Sequence, residues 1–244
     1  MSAAQRRRLD QLLVERGLAE SRERARAYIL AGYVTVDGQK ADKAGQLVRD
    51  GSAVEVAARM PYVSRGGYKL AAALDHFGVN PEGRVAIDLG SSTGGFTDVL
   101  LQRGAARVHC VDVGAGQLDW KLRNDPRVVV HEGVNARHLK PEEIGEAAGL
   151  LVADLSFISV TTVLPAVPPL LRADAELVIL IKPQFEVGRG QVGKGGIVRD
   201  PELHRHACDT VRKAVEAFGF RTAVRESPIT GAEGNREFLL YGHH

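Results

Sequence analysis

A chain of 244 residues with 44% hydrophobic and 25% charged residues has the composition of a folded globular protein, which excludes a disordered chain. The length predicts a catalytic domain with a smaller unit attached. The net charge is +2, and because residues 1–59 hold 11 Lys and Arg against 8 Asp and Glu, the positive excess lies in that segment. This distribution is compatible with a polyanion partner and equally with a solvated charged helix.

Residues 1–58 are predicted to form a small α+β domain. The segment YVTVDGQKA predicts a hairpin that turns at Asp37-Gly38, and SAVEVAA predicts another short strand. Two helices joined by the turn GLAES are predicted from apolar residues at helical spacing, which are Leu9, Leu12 and Leu13, then Ala25, Tyr28 and Ile29.

The stretch RLDQLLVERGLAESRERARAYILAGYVTVDG resembles the small RNA-binding domain of a small-subunit ribosomal protein (the S4 type) and of many pseudouridine synthases. The resemblance implies that this domain binds RNA. The arginines expected to contact phosphates here are Arg6, Arg7, Arg8, Arg22 and Arg26. Residues 59–67, with Pro61 and paired glycines, are predicted to be a linker, and Arg65 within it is expected to contact RNA as well.

Residues 68–244 are predicted to form a second, α/β domain. Short apolar runs alternate with helical segments from VAIDLG through RVHCVDVG, RVVVHEG and LLVADLS to AELVILIKP, which is typical of a doubly wound parallel sheet. No helical pattern separates FRTAVRES from REFLLYG, so these two strands are expected to pair antiparallel. A parallel sheet closed by such a pair is the class I, Rossmann-like methyltransferase fold.

The stretch VAIDLGSSTGGFTDVLL predicts a strand, a glycine turn and a helix, the place where doubly wound sheets bind ligands. A dinucleotide is disfavoured because Ser92 stands where GxGxxG requires its second glycine. Asp88 precedes the turn, and Asp112 ends the next strand, where it can accept hydrogen bonds from ribose hydroxyls. S-adenosylmethionine, which has a ribose but no pyrophosphate, suits this pattern better than a nucleotide phosphate or a turn without function.

The residues expected to bind this cofactor lie on the turn and after three further strands. They are Asp88, Gly90, Ser91, Ser92, Thr93, Gly94, Gly95, Phe96, Asp112, Val113, Asn135 and Asp154.

The stretch from Ala147 to Leu171 has a single charge and has to be considered as a membrane span. Asp154 and the prolines at 165, 168 and 169 argue against a continuous spanning helix. A buried strand followed by a core-facing helix is predicted instead. No apolar stretch follows the N-terminal arginines, so we expect no secretory signal and a cytoplasmic location.

The segment from Gly188 to Lys194 matches the phosphate-binding pattern GxxxxGK, but Gly195 replaces the Ser or Thr that would hold magnesium. A flexible loop over the active site, with Arg189 and Lys194 contacting phosphates of a nucleic acid, is favoured over a phosphate-binding loop. A solvated glycine loop is the equal alternative.

Four ionisable residues are expected at the ligand-binding edge of the sheet, and each comes from a different element. Lys182 follows a buried apolar strand, where burial disfavours the charged amine and would make it available as a base. The others are Asp154 after a strand, Lys69 on the helix that enters the domain, and Glu237 at the last strand. This ordered set resembles the tetrad of the FtsJ-like ribose 2′-O-methyltransferases.

With the RNA-binding domain, the stretches SRGGYKL, GSSTGGFTDVLLQRGA, VDVGAGQL, LRNDPRV, ADLSFIS and IKPQFEVG resemble the TlyA (hemolysin A) family. The resemblance implies transfer of a methyl group from S-adenosylmethionine to the ribose 2′-hydroxyl of cytidine in ribosomal RNA, within ribosomal subunits and without a metal. Three alternatives remain open, which are a membrane-acting hemolysin, a base-specific RNA methyltransferase and an RNA chaperone. The base-specific alternative is disfavoured, because enzymes that methylate exocyclic amines of bases commonly carry an [ND]PP[YF] motif after the fourth strand, and this chain has DLSF there.

Overall fold

The computed structural model describes residues 6–30, 32–56, 61–231 and 233–244. The chain forms two compact units, Met1–Pro61 and Tyr62–His244. The predicted linker was 59–67, but residues 62–67 belong to the second unit, whose first helix already begins at Gly66. The paired glycines are part of this helix, and residues 57–60 lie outside the described residues.

The described residues of the first unit form two helices and two small antiparallel sheets. The predicted hairpin is present and turns at Asp37 and Gly38, both of which have positive φ. The sequence had not predicted the pairing of Arg6–Arg8 with Leu47–Arg49. The elements are β1 (Arg6–Arg8), α1 (Leu9–Glu15), α2 (Arg22–Leu30), β2 (Val34–Val36), β3 (Gln39–Lys40), β4 (Leu47–Arg49) and β5 (Val54–Val56), with sheets β1-β4 and β3-β2-β5.

The second unit is built on one seven-stranded sheet of order β11-β12-β10-β9-β6-β7-β8. Its elements are α3 (Gly66–Phe77), β6 (Val85–Leu89), α4 (Gly95–Gln102), β7 (Arg107–Asp112), α5 (Trp120–Arg123), β8 (Val128–Glu132), α6 (Pro141–Ile144), β9 (Ala148–Ala153), β10 (Leu171–Ile181), α7 (Pro183–Glu186), α8 (Pro201–Glu216), β11 (Arg221–Glu226) and β12 (Phe238–His243).

Six strands of this sheet run in the same direction, and β12 runs antiparallel to its neighbours β10 and β11, as predicted. Because a parallel sheet buries both of its faces, the central strands β6 and β9 are almost wholly apolar, and hydrophobic clusters lie on both sides. The strands β7 and β9 lie on opposite sides of β6, so the loops that follow β6 and β9 leave the sheet in different directions. A crevice for a ligand is expected there, beyond the carboxyl ends of β6, β7 and β9.

The segment after β9 differs from its prediction. Three short 3-10 turns, Val160–Thr162, Leu164–Ala166 and Pro168–Leu170, replace the expected helix. Proline lacks the backbone N–H that a continued α-helix requires, which explains the interruptions at Pro165 and Pro168. The apolar side chains of these turns still enter the core. Within the described part of the chain, no helix is long and apolar enough to cross a membrane.

Candidate active site

The glycine turn between β6 and α4 lies against the segment that follows β9. Leu89 pairs with Ala153 in the sheet, so the residues after them, Gly90 and Asp154, are neighbours. Gly90 has φ 79°, and a Cβ there would lie 2.6 Å from the backbone carbonyl oxygen of Asp154. Only glycine allows this approach, because a side chain would meet an immobile backbone atom.

Asp112, at the end of β7, fixes the shape of the glycine turn. Its Oδ2 accepts a hydrogen bond from the backbone N–H of Ser92 (2.8 Å), and its Oδ1 accepts one from Gly114 (2.7 Å). Each carboxylate oxygen can accept two bonds, so the half-buried side chain keeps acceptor capacity for a ligand.

A cavity of about 440 Å³ lies beside Asp112, and we call it the Asp112 cavity. Its volume is within the range of small-molecule sites. Six of the predicted cofactor residues line it, namely Gly90, Ser92, Asp112, Val113, Asn135 and Asp154. Sequence reasoning missed Gly114, Gln117, Val134 and the run from Leu155 to Ile158, which follow the same strand ends.

A second cavity of about 240 Å³, the Lys182 cavity, adjoins the first one. Gly90, Ser92, Asp154 and Ser156 line both cavities and form their common wall. The second cavity also receives Ser91, Thr93, Gly95 and Phe96, together with Ser64, Arg65, Gly66, Lys69, Lys182, Ile229 and Thr230.

Two predicted cofactor residues, Asp88 and Gly94, line neither cavity. Asp88 is completely buried, and its Oδ2 accepts a hydrogen bond from Thr97 Oγ1 on α4 (2.6 Å). Burial raises the pKa of Asp88 to about 7, and the nearby Asp154 carboxylate adds to this effect. Gly94 packs against α5, where a Cβ would lie 2.2 Å from Leu122. Both residues thus support the glycine turn through contacts on the side away from the cavities.

The four tetrad residues form two ion pairs, of which the Lys69–Glu237 pair is buried and the other joins buried Lys182 to partly exposed Asp154. Lys182 Nζ lies 2.6 Å from Asp154 Oδ1, and Lys69 Nζ lies 2.5 Å from Glu237 Oε2. Lys69, Lys182 and Glu237 are each less than 10% exposed. Pairing makes this burial possible, because each charge has an opposite charge in hydrogen-bonding range.

Sheet topology explains why residues so far apart in sequence meet. The carboxyl ends of the parallel strands β9 and β10 lie at the same edge, which places Asp154 beside Lys182. Strand β12 runs in the opposite direction, and its first residue pairs with the last residue of β10. Glu237, which precedes β12, therefore reaches the same edge. It contacts Lys69 but does not itself line the Lys182 cavity.

The loop with the GxxxxGK pattern does not have the strand-to-helix context of a phosphate-binding loop, since it follows α7. Buried Asn235 holds its distal part by donating to the carbonyl of Gly196 and accepting from the N–H of Val198, both over 2.9 Å. Lys194 is exposed, whereas the side chain of Arg189 lies outside the described residues.

The predicted RNA-binding arginines are exposed to different degrees. Arg8 and Arg22 both donate to the carboxylate of Asp10, which is fully buried, and these bonds lower its pKa to about 2. Arg7 is paired with Glu15 and Asp50. Arg6 and Arg26 are exposed, and exposed Arg65 lines the Lys182 cavity.

The fold and the paired cavities define an α/β protein of the class I, Rossmann-type methyltransferase class. Comparison with protein families matches residues 62–244 to the FtsJ-like methyltransferases and residues 7–54 to the S4 domain. The chain belongs to the TlyA (hemolysin A) family of FtsJ-like methyltransferases.

Three relatives illustrate this membership. The 16S/23S rRNA (cytidine-2′-O)-methyltransferase TlyA of Mycobacterium tuberculosis is 51% identical over 98% of this chain and 90% of its own. Hemolysin A of Brachyspira hyodysenteriae is 43% identical, covering 96% of this chain and 98% of its own. A solved structure from Streptococcus thermophilus is 42% identical, covers 99% of this chain and 89% of its own, and has a TM-score of 0.76.

Proposed function

We propose that this protein transfers a methyl group from S-adenosylmethionine to the ribose 2′-hydroxyl of cytidine in ribosomal RNA. The observation that carries the proposal is the Lys182–Asp154 ion pair, in which Lys182 lines one of two adjoining cavities and Asp154 lies in their common wall. A methyl donor in one cavity and an acceptor hydroxyl in the other would meet at this pair. The name of the Mycobacterium tuberculosis relative supports the same reaction.

The Asp112 cavity has the features that S-adenosylmethionine requires. The Asp112 carboxylate can accept hydrogen bonds from ribose hydroxyls, and Val111, Ile158 and Val163 supply apolar walls for a base. Gly90 leaves the space that a side chain would fill. When bound, this cofactor supplies an electrophilic methyl group on a sulfonium centre.

The Lys182 cavity would receive the acceptor ribose. A 2′-hydroxyl is a weak nucleophile, and it has to lose its proton as the bond to the methyl carbon forms and the methyl–sulfur bond breaks; a base can take this proton, or a cation can stabilise the oxyanion that develops as the proton leaves to water. Lys182 supplies either the base or the cation, and Asp154 holds the amine in place. Lys69, held by Glu237, lies in the same cavity and orients the ribose. Positioning of both reactants supplies much of the rate gain.

The S4 domain supports ribosomal RNA as the polymer that is recognised. Exposed Arg6 and Arg26 in the first unit, and Arg65 and Lys194 in the second, are proposed to contact phosphates. We propose assembled ribosomal subunits as the substrate, which places the activity in the cytoplasm.

The test is to map 2′-O-methylated cytidines in ribosomal RNA from cells with and without this protein, followed by methylation of purified subunits with labelled S-adenosylmethionine. Loss of one or more cytidine 2′-O-methyl groups, restored by the purified enzyme, is expected. Identical maps together with no transfer to subunits or free RNA would reject the proposal. Methyl groups found on bases would identify the base-specific alternative.

A further inference from the structure

Lys182 has a second partner that does not belong to the tetrad. Its Nζ donates a hydrogen bond to Ser156 Oγ over 2.6 Å, the same length as its contact with Asp154 Oδ1. A lysine ammonium has three N–H donors. Among the described residues, one N–H is donated to Ser156 and the ammonium makes an ion-pair contact with Asp154, so a third N–H remains for an acceptor in the cavity that all three residues line.

We propose that Ser156 is a positioning residue that fixes the direction of the Lys182 ammonium. This inference rests on the proposed function, because it concerns the amine assigned to the acceptor oxygen. One carboxylate contact restrains the nitrogen but leaves its other N–H groups free to rotate. A second acceptor at a fixed place removes this freedom and sets the direction of the third N–H. Catalytic groups of this kind act best when their orientation is set before the reaction.

The backbone around Ser156 has a shape that requires support. The next residue, Phe157, has φ 65°, a conformation that bulky side chains rarely adopt. Such a backbone persists only where surrounding contacts hold it, and it is found mainly at functional sites. Here it turns the chain directly after the residue that contacts Lys182.

Contacts from α7 supply this support. Glu186 Oε2 accepts a hydrogen bond from Ser159 Oγ (2.5 Å), and Glu186 Oε1 accepts one from the backbone N–H of Val160 (2.8 Å). The rings of Phe157 and Phe185 lie 5.5 Å apart. Since α7 begins directly after Lys182, these contacts join the segment that carries Lys182 to the segment that carries Ser156.

The proposal is tested by replacing the Ser156 hydroxyl in the full-length enzyme. Ser156→Ala should lower kcat on ribosomal subunits about 10-fold to 100-fold, the effect of losing a hydrogen bond to a charged group, with the Kd for S-adenosylmethionine and the KM for subunits within about twofold. Ser156→Thr keeps the hydroxyl and should retain most activity. Ser156→Cys, of similar size but a weak acceptor, should resemble alanine.

Thr162→Ala is the matched control, because it removes an exposed hydroxyl in the same loop that bonds only the carbonyl of Ser159 among the described contacts. It should behave as the wild type. A Ser156→Ala enzyme with wild-type kcat overturns the proposal, and so does a threonine variant as slow as alanine.

A crystal structure of Ser156→Ala separates this inference from the proposed function. If the wild type methylates no ribosomal RNA, the proposed function fails. The positioning role of Ser156 is then tested only by the orientation of Lys182 in the structure of the variant. A Lys182 side chain that takes new or multiple orientations supports the positioning role. A Lys182 that keeps its single position and its contact with Asp154 overturns it.

Discussion

Lys69 Nζ lies 2.5 Å from Glu237 Oε2, and both side chains are buried. The pair joins α3, the first helix of the second unit, to the residue that precedes β12. It therefore ties two distant parts of the chain together at the same place where it completes the tetrad. For a buried ion pair, replacing one partner is expected to lower the free energy of unfolding more than replacing both.

Glu237→Leu should lower the free energy of unfolding of the second unit by about 3 kcal/mol, because it leaves the buried Lys69 charge without a partner. Lys69→Met combined with Glu237→Leu removes both charges and should recover most of this loss. Urea denaturation measures both variants. Both the single and the double variant should be inactive in methyl transfer, because each lacks a residue of the tetrad. Equal stability of the single and double variants would contradict the ion-pair interpretation.

Lys182→Ala should lower the rate of methyl transfer by roughly 10²–10⁴, the usual effect of removing a group that moves or stabilises charge. Lys182→Arg distinguishes the two roles, because arginine keeps the positive charge but cannot act as a base. Single-turnover assays with bound subunits measure both. The control is Lys213→Ala, an exposed lysine on α8. A near wild-type rate in the alanine variant would reject the assignment.

Asp112→Asn should raise the Kd for S-adenosylmethionine roughly 10-fold, since an amide retains only one acceptor oxygen and no charge. Calorimetry measures this affinity. The effect should be larger than that of Asn135→Ala, because the Asn135 oxygen already accepts two hydrogen bonds, from the backbone N–H and the Nε–H of Arg137, whereas each Asp112 oxygen accepts one. Unchanged binding by the Asp112 variant would place the ribose elsewhere.

Gly90→Ala should abolish cofactor binding, because its Cβ would lie 2.6 Å from the Asp154 carbonyl at a φ of 79°. Calorimetry and circular dichroism together measure binding and folding. Gly51→Ala is the control, since no atom lies within 4 Å of a Cβ built there. Normal affinity in the Gly90 variant would mean that the turn can move away from Asp154.

The first unit should lose stability in acid. Hydrogen bonds from Arg8, with further contributions from Arg22, lower the pKa of Asp10 from 3.8 to about 2. A lowered pKa stabilises the fold above the unfolded-state pKa, and this contribution disappears as the pH falls from about 4 to 2. The protection of the α1 amides in the full chain, which is their exchange rate relative to that of an unfolded chain at the same pH, should weaken over this range. Asp10→Asn should show weak protection already at neutral pH, and wild-type protection that stays constant over this range would contradict the prediction.

Much of the fold could be predicted from sequence because its cause is local. Alternating apolar runs and helical segments specify a doubly wound sheet, and the missing helix before the last strand specifies its antiparallel closure. The 3-10 turns after β9 were not predicted. The spacing of apolar residues there correctly indicates burial. It gives no information about backbone hydrogen bonds, and Pro165 and Pro168 lack the N–H groups that a continuous helix requires.

The contact of Asp154 with Lys182 was predicted from sequence, because both residues follow strands whose carboxyl ends share one edge. The pairing of Lys69 with Glu237 was not, because it depends on strand register, which no local pattern encodes. Ser156 was missed because an uncharged residue in a loop gives no signal of its own. For the same reason, charge counting could not separate arginines that bind Asp10 from arginines free to meet RNA.

The linings of the two cavities have a consequence for protein synthesis. The Asp112 cavity uses only residues between Gly90 and Val163, whereas the tetrad also needs Lys182 and Glu237. A chain growing on the ribosome therefore contains every residue of the Asp112 cavity long before β12 has been made. Completion of the tetrad waits for the segment around Glu237, so a polypeptide released early would lack the partner of Lys69, and the proposed mechanism predicts that it is inactive.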